Sequence, residues 1–231
     1  LICANPDCVT LGVNVSLESA SPRMQKVMRK NLDIEKFREN CEYISKTYPS
    51  AVTTLNTMHG FPTETEEEAM MTLDFIFSMK WIHFPYTHIV RIFPGTDLEK
   101  FAIDHGVNKA AINEAIDKSY HEVAPTLPFP REFTEKYKLK FLKEYVLNKE
   151  RLLKVLPVQM KHFTEDELNQ RYSSYFVSRI NGLKDVLKMA GIKDEQLKIK
   201  CLDEKEIKIF NLKENIKKNF PKKSIKKNAF K

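Results

Sequence analysis

No run of 18 or more apolar residues occurs in this chain, which argues against a transmembrane helix. The first residues lack the basic-then-apolar pattern of a secretory signal. A Gly-rich phosphate-cradling loop is also missing, so a phosphate-binding α/β protein is the more distant reading. Cysteine is sparse: Cys3, Cys8, Cys41 and Cys201 are too few for a disulfide framework in 231 residues. Cys3 and Cys8 stand five apart, outside the Cys-x2-Cys spacing of zinc or redox pairs. A reducing, cytoplasmic compartment is the expectation. Position 1 is Leu1 rather than Met, so a fragment or a processed product is expected.

What is present suits a packed protein, with 42% hydrophobic residues to build a core and 30% charged residues to solvate it. The net charge of +7 sits in one place: residues 213–231 hold eight lysines against one acid, Glu214. The remainder carries 30 basic and 30 acidic residues, so the body is electrically balanced. The tail from Lys213 to Lys231 reads first as a solvated terminus. Its sharper reading is a contact with nucleic acid or anionic lipid, but it lacks arginine and has only Phe220 and Phe230 as aromatics. Nucleic acid is therefore not an expected partner.

A strand–helix rhythm runs through the first half. Val9 to Leu17 reads as a buried strand, closed by Glu18-Ser-Ala-Ser21. Pro22, capped by Ser21, then opens a helix to Lys30. A second helix starts at Asp33 and runs to about Lys46, with Cys41 on its apolar face beside Ile34, Phe37 and Ile44 as a small buried hydrophobe. Strand Ala51 to Met58 leads into a Gly60-Phe-Pro turn, where glycine permits close approach of a ligand or another backbone. Thr65 and Glu68 form a capping box for a helix from Glu66 to about Met79, with Ala69, Leu73, Ile76 and Phe77 inward. A third strand, about Tyr86 to Ile92, stops at Pro94-Gly95-Thr96. Thr96 and Glu99 form a second box before a short helix ending at Gly106.

Strand starts near Val13, Val52 and Tyr86 lie 39 and 34 residues apart, each pair bridged by helix, as parallel strands require. Ligands of such folds sit at the carboxyl ends of the strands. This rule puts Glu18, the Met58-His59-Gly60 turn and Arg91-Ile92-Phe93 on one rim. Arg91 could grip a carboxylate or phosphate there, or form a rim salt bridge. Residues 107–231 read as mostly helical, with a loop at Pro125, Pro128 and Pro130. Arg131 to about Leu156 reads as one helix with an aromatic stripe of Phe133, Tyr137, Phe141 and Tyr145, and Leu152, taken as core. Thr164 to Glu167 is another capping box, leading to Tyr172, Tyr175 and Phe176, and Gly182 to Ala190 is a short helix closed by Gly191. This helical part is expected to cover an open sheet edge.

Three segments in order, Ser16-Leu-Glu-Ser-Ala-Ser-Pro-Arg-Met24, Asn56 to Thr65, and Arg91-Ile-Phe-Pro-Gly-Thr96-Asp-Leu98, each stand at a strand end. Together they resemble the second half of a radical S-adenosylmethionine (SAM) domain, closest in pattern to the subgroup with an N-terminal cobalamin-binding domain. The resemblance covers about residues 9–106, and less distinctively the helices to about residue 192. It implies an α/β fold: a partial (β/α)6 barrel of which residues 1–106 supply the last three or so βα units, a helical extension over 107–204, and a Lys-rich tail over 205–231. It implies SAM cleavage at a [4Fe-4S] cluster to a 5′-deoxyadenosyl radical, with the cofactor supplying the chemistry and the protein orienting it. Residue by residue it implies that Glu18 and Ser19 contact the SAM ribose, that Met58, His59 and Gly60 stand on a strand whose apolar residue and backbone cradle the adenine, and that Ile92 and Phe93 end a strand whose backbone groups approach the adenine edge. Each has a plainer reading: a rim acid for Glu18, core for Met58, a partly buried histidine for His59, and the turn itself for Gly60 and Pro62.

The departures weigh as much. The family's Cys-x3-Cys-x2-Cys is not in this sequence, and a cluster needs thiolate ligands, so no catalytic or metal-ligating residue is assigned here. The Gly-Gly-Glu grip on the methionyl amine and any cobalamin domain would lie upstream. Thr63 and Ala20 stand where the family has glycine. The implied partners are the N-terminal half of the same enzyme, a reductant protein and a small-molecule substrate that the sequence does not name. The competing reading is a non-catalytic partial barrel or a binding module that uses its basic tail.

Overall fold

A computed structural model of the chain describes residues 12–118, 122–177 and 179–197. Three strands, β1 (Gly12–Glu18), β2 (Val52–His59) and β3 (Phe84–Ile89), form one parallel sheet in the order β1-β2-β3. Between β1 and β2 run α1 (Pro22–Val27) and α2 (Ile34–Thr47), and α3 (Glu66–Ser78) joins β2 to β3. The local signals act as read: Ser21 caps α1, Asp33 caps α2, and Thr65 with Glu68 forms a full capping box on α3. Beyond the sheet come α4 (Asp97–Asp104), α5 (Lys109–Ile116), α6 (Arg131–Phe141), α7 (Lys149–Gln159), α8 (Glu165–Tyr175) and α9 (Leu183–Met189). No helix among the described residues is long and apolar enough to cross a membrane.

The sheet has unlike faces, because successive side chains of a strand point to opposite sides. Val15, Leu17 and Leu55 join Leu73 and Ile76 of α3 in the main core, where Ala69 is also fully buried. On the opposite face Asn14 and Ser16 are exposed, and Asn56 Nδ2 donates to Asn14 Oδ1 at 2.7 Å. The later helices wrap the β3 side: Phe84 meets Phe163 edge-on at 5.6 Å, and Tyr86 stacks on Tyr175 at 5.5 Å. The amino end of β3 is anchored by polar groups from α7 and α8. Arg151, 1% exposed, donates from Nη2 to the carbonyls of Ile82 (2.8 Å) and His83 (2.7 Å), and its guanidinium lies 4.5 Å over the Tyr145 ring. Gln159 donates to the His83 carbonyl at 3.0 Å and accepts from Tyr172 Oη at 2.8 Å. His83 Nδ1 in turn accepts from the Thr53 amide at 3.0 Å.

Four expectations need correction. The third strand is Phe84–Ile89 rather than about Tyr86 to Ile92. Its pairing stops where Gly60 (φ +87°) turns β2 away, and Pro85 is tolerated because β3 lies at the end of the strand order. The long helix expected from Arg131 to Leu156 is broken: α6 continues as a π-helical segment, Leu142–Val146, and Asn148 then caps α7 by accepting from the Arg151 amide at 3.0 Å. Thr96 caps α4, but the carboxylate of Glu99 turns to the Gly95 amide (2.7 Å) instead of completing a box. The first helix ends at Val27 rather than Lys30, and Arg29 (φ 56°) and Asn31 (φ 50°) follow in left-handed conformations. Cys41 is buried as expected, and burial pushes its thiol up to about 11. Cys3, Cys8, Cys201 and the Lys-rich tail lie outside the described residues.

Candidate functional site at the carboxyl ends of the strands

Backbone strain gathers where the strands end. Glu18 closes β1 at φ 65°, a left-handed conformation costing a non-glycine residue about 1–2 kcal/mol, and the β1–β2 register slips beside it. Lys30 Nζ donates to Glu18 Oε1 at 3.0 Å and to the Ser16 carbonyl at 2.8 Å. Glu18 Oε2 is buried and has no hydrogen-bond partner. A carboxylate held this way presents one acceptor already satisfied and one still seeking a donor.

The turn after β2 is closed by Glu64, whose Oε2 accepts from the amides of Gly60 (2.5 Å) and Phe61 (3.1 Å). Burial pushes the Glu64 carboxyl up to about 7, against the pull of those two amides. Gly60 is required twice over: φ is +87°, and an added Cβ would collide with Leu127 Cδ2. The close approach at this glycine is thus a side chain of the chain itself. Thr63 sits at φ 71° and is clamped by Arg23, whose Nη2 donates to its carbonyl at 2.6 Å. The same guanidinium grips Glu68 through Nε and Nη2, which pulls that carboxyl down to about 2. Ala20 adopts no left-handed conformation, and its amide donates to Thr72 Oγ1 at 3.0 Å.

The seven candidates do not share one surface. Ser19 is fully buried, and its hydroxyl is used within the turn by the Ser21 amide (3.1 Å) and Thr72 (3.3 Å). Met58 is half-buried in a small apolar cluster with Met24, Phe61, Val90 and Ile92, where Ile92 is core, while Phe93 is 46% exposed. His59 must point opposite to Met58, and its ring lies 4.5 Å from that of Tyr137 in α6. Its Nδ1 is buried without a partner, and burial, reinforced by nearby His88, holds the imidazole down at about 3, so it is neutral. Arg91 serves the fold: Nη2 donates to the Glu122 carbonyl at 2.9 Å and Nε to that of Lys118 at 3.2 Å. Sequence reasoning missed Tyr137 and Tyr175 as site-lining groups. Phenols at stripe positions were the available signal, since a buried hydroxyl needs a partner.

Of the two groups implied by the resemblance, the cluster does not fit this chain, whose sequence has no three-cysteine motif and whose described residues hold no group of three or more potential metal ligands. SAM fits at one point, the unsatisfied Glu18 oxygen at a strand end.

Residues 8–76 match the sequence profile of the Radical SAM superfamily. The tRNA-2-methylthio-N(6)-dimethylallyladenosine synthase of Mycobacteroides abscessus is 29% identical over 107 residues, 46% of this chain and 20% of that protein. The threonylcarbamoyladenosine tRNA methylthiotransferase MtaB of Bacillus subtilis is 33% identical over 84 residues, 35% of this chain and 19% of that protein. The chain thus spans about a fifth of the length of these relatives. Together with the α/β sheet, these likenesses support the radical SAM superfamily for this part of the chain.

Proposed function

We propose that residues 1–106 supply later βα units of a radical SAM barrel, and that their strand-end rim binds SAM. The supporting observation is Glu18: inside the matched segment, at the end of β1, it is held in a strained conformation with one buried oxygen lacking a donor. A ribose hydroxyl is a donor of the right chemistry. Met58 offers an apolar contact beside it, and the clasp of Glu64 on Gly60 and Phe61 fixes the neighbouring turn. The thiolate ligands of a cluster would come from outside this chain. The N-terminal half and a reductant protein are the partners this reading needs. Cobalamin receives no support from the comparisons and has no role in the proposal.

The test is titration of the chain with SAM by calorimetry, beside anaerobic iron–sulfide reconstitution. Weak, saturable SAM binding with little iron is expected. Glu18→Gln should weaken binding by about tenfold, the worth of one charge-assisted hydrogen bond, with the melting curve unchanged. Absence of SAM binding would favour the non-catalytic module. Near-stoichiometric iron and sulfide would contradict the argument from missing ligands.

A further inference from the structure

A cavity of about 490 Å³ opens between the carboxyl half of β3 and helices α6 and α8. Its size falls within the range of small-molecule sites. Of the seven strand-end candidates it includes His59 alone, so it is a separate place from the Glu18 rim. Its walls are aromatic, with Tyr86, Tyr137, Phe141 and Tyr175 all lining it.

Three buried polar atoms of lining residues have no partner: Tyr137 Oη, Tyr175 Oη and His59 Nδ1, on residues 2%, 7% and 5% exposed. Buried polar groups are normally satisfied, and three around one cavity mark a place where a ligand's own polar atoms complete the set. Burial raises both phenols well above their ordinary range, so they remain protonated donors. Cations lie along the same wall. Arg131 is paired with Glu135 at 2.8 Å, whereas burial and the nearby Arg179 both push the Lys138 ammonium down. Two mutually repelling cations are relieved by an anion between them. Glu122 and Glu135 also line the cavity, as the acids that such an anion must stand clear of.

We infer that this cavity binds an organic anion bearing a planar ring, an aromatic or nucleoside phosphate, with the ring among the tyrosines and the anionic group at Lys138 and Arg179. The size admits a ring, the aromatic walls favour its face, and the phenols and imidazole meet its edge atoms.

Calorimetric titration of the full chain with adenosine 5′-monophosphate, phenyl phosphate, adenosine and inorganic phosphate tests this. Both ring-bearing phosphates should bind saturably. Adenosine and inorganic phosphate should each bind at least about tenfold more weakly, since each lacks one half of the recognition. A ranking of the two ring-bearing probes tells whether nucleoside or simple aryl is preferred. The double variant Lys138→Met, Arg179→Met removes a half-buried cation and an exposed one, and should lose about tenfold or more in affinity with no fall in melting temperature. Tyr137→Phe and Tyr175→Phe should weaken binding while raising the melting temperature, a pairing that a purely structural hydroxyl would not give. Glu18→Gln should leave phosphate binding intact, which separates this result from that for SAM. The inference is overturned if neither ring-bearing phosphate binds, if phosphate alone binds as tightly, or if the double variant binds unchanged.

Discussion

The two ends of the sheet are built to opposite specifications. At the amino end of β3, Arg151, Gln159, His83 and Tyr172 are tied to backbone and to one another by hydrogen bonds of 2.7–3.0 Å. Arg151 leaves Nε and Nη1 without hydrogen-bond partners, but it rests on the Tyr145 ring. At the carboxyl end, Glu18 and Thr63 are held in left-handed conformations, and Glu18, Glu64 and His59 each carry a buried atom without a partner. One end spends its polar groups on stability. The other keeps some unspent, as ligand-facing ends of α/β sheets do.

The amino end should break hardest. Arg151→Met removes two hydrogen bonds to buried carbonyls and a cation–ring contact, and should cost about 3–5 kcal/mol in urea unfolding with ligand binding at the other end retained. A comparable substitution at Glu18 should cost less than about 1 kcal/mol, since it removes one partly exposed ion pair. Equal losses at the two ends would erase the contrast.

Protons sharpen the comparison next. Glu64 has a folded pKa of about 7 against 4.5 unfolded, so its contribution to stability is full below about 4.5 and is lost as pH rises to about 7. His83 and His59 have the reverse sense: held at about 4 and about 3 from 6.5, they stabilise above 6.5 and lose this as pH falls. Between pH 4.5 and 6.5 these histidines, with His88, whose imidazole burial also holds down, outweigh the one carboxyl, so stability should rise with pH. Glu64→Gln should steepen that rise, as read from denaturant midpoints across the range. An unchanged slope would mean that Glu64 does not titrate there. Gly60→Ala should cost about 1–3 kcal/mol through its left-handed backbone and the collision with Leu127. The smallest effect belongs to Thr63→Gly, which relieves strain but frees the unfolded chain, and should change the unfolding free energy by less than about 1 kcal/mol in urea.

The elements written in short-range chemistry were legible. Ser21, Asp33, Thr65 and Thr164 cap the helices they announce, because each cap is a local hydrogen bond. What required the third dimension was hidden. Arg151 looks like a surface residue until two strand-end carbonyls are brought to it. Gly60 reads as room for a ligand, but Leu127 fills the space from a distant loop. Met58 and His59, adjacent in the sequence, are parted by the pleat, since neighbours in a strand face opposite sides. Glu18 does end a strand as its sequence position announces, while the unpartnered state of its second oxygen shows only in three dimensions.

The π-helical segment Leu142–Val146 has its own consequence. Tyr137, Phe141 and Tyr145 recur every four residues, a row that drifts about 40° per step around a helix of 3.6 residues per turn. A wider turn absorbs that drift, and Phe141 and Tyr145 come to stack with rings 6.2 Å apart and 10° from parallel. The segment therefore acts as a phase corrector. Deleting one residue from it would return the segment to α-helical winding and shift Tyr145 out of register with the Met79 carbonyl to which it donates and with the guanidinium of Arg151 over its ring. The length of five residues in a distant helix, more than their composition, sets where the anchoring arginine rests.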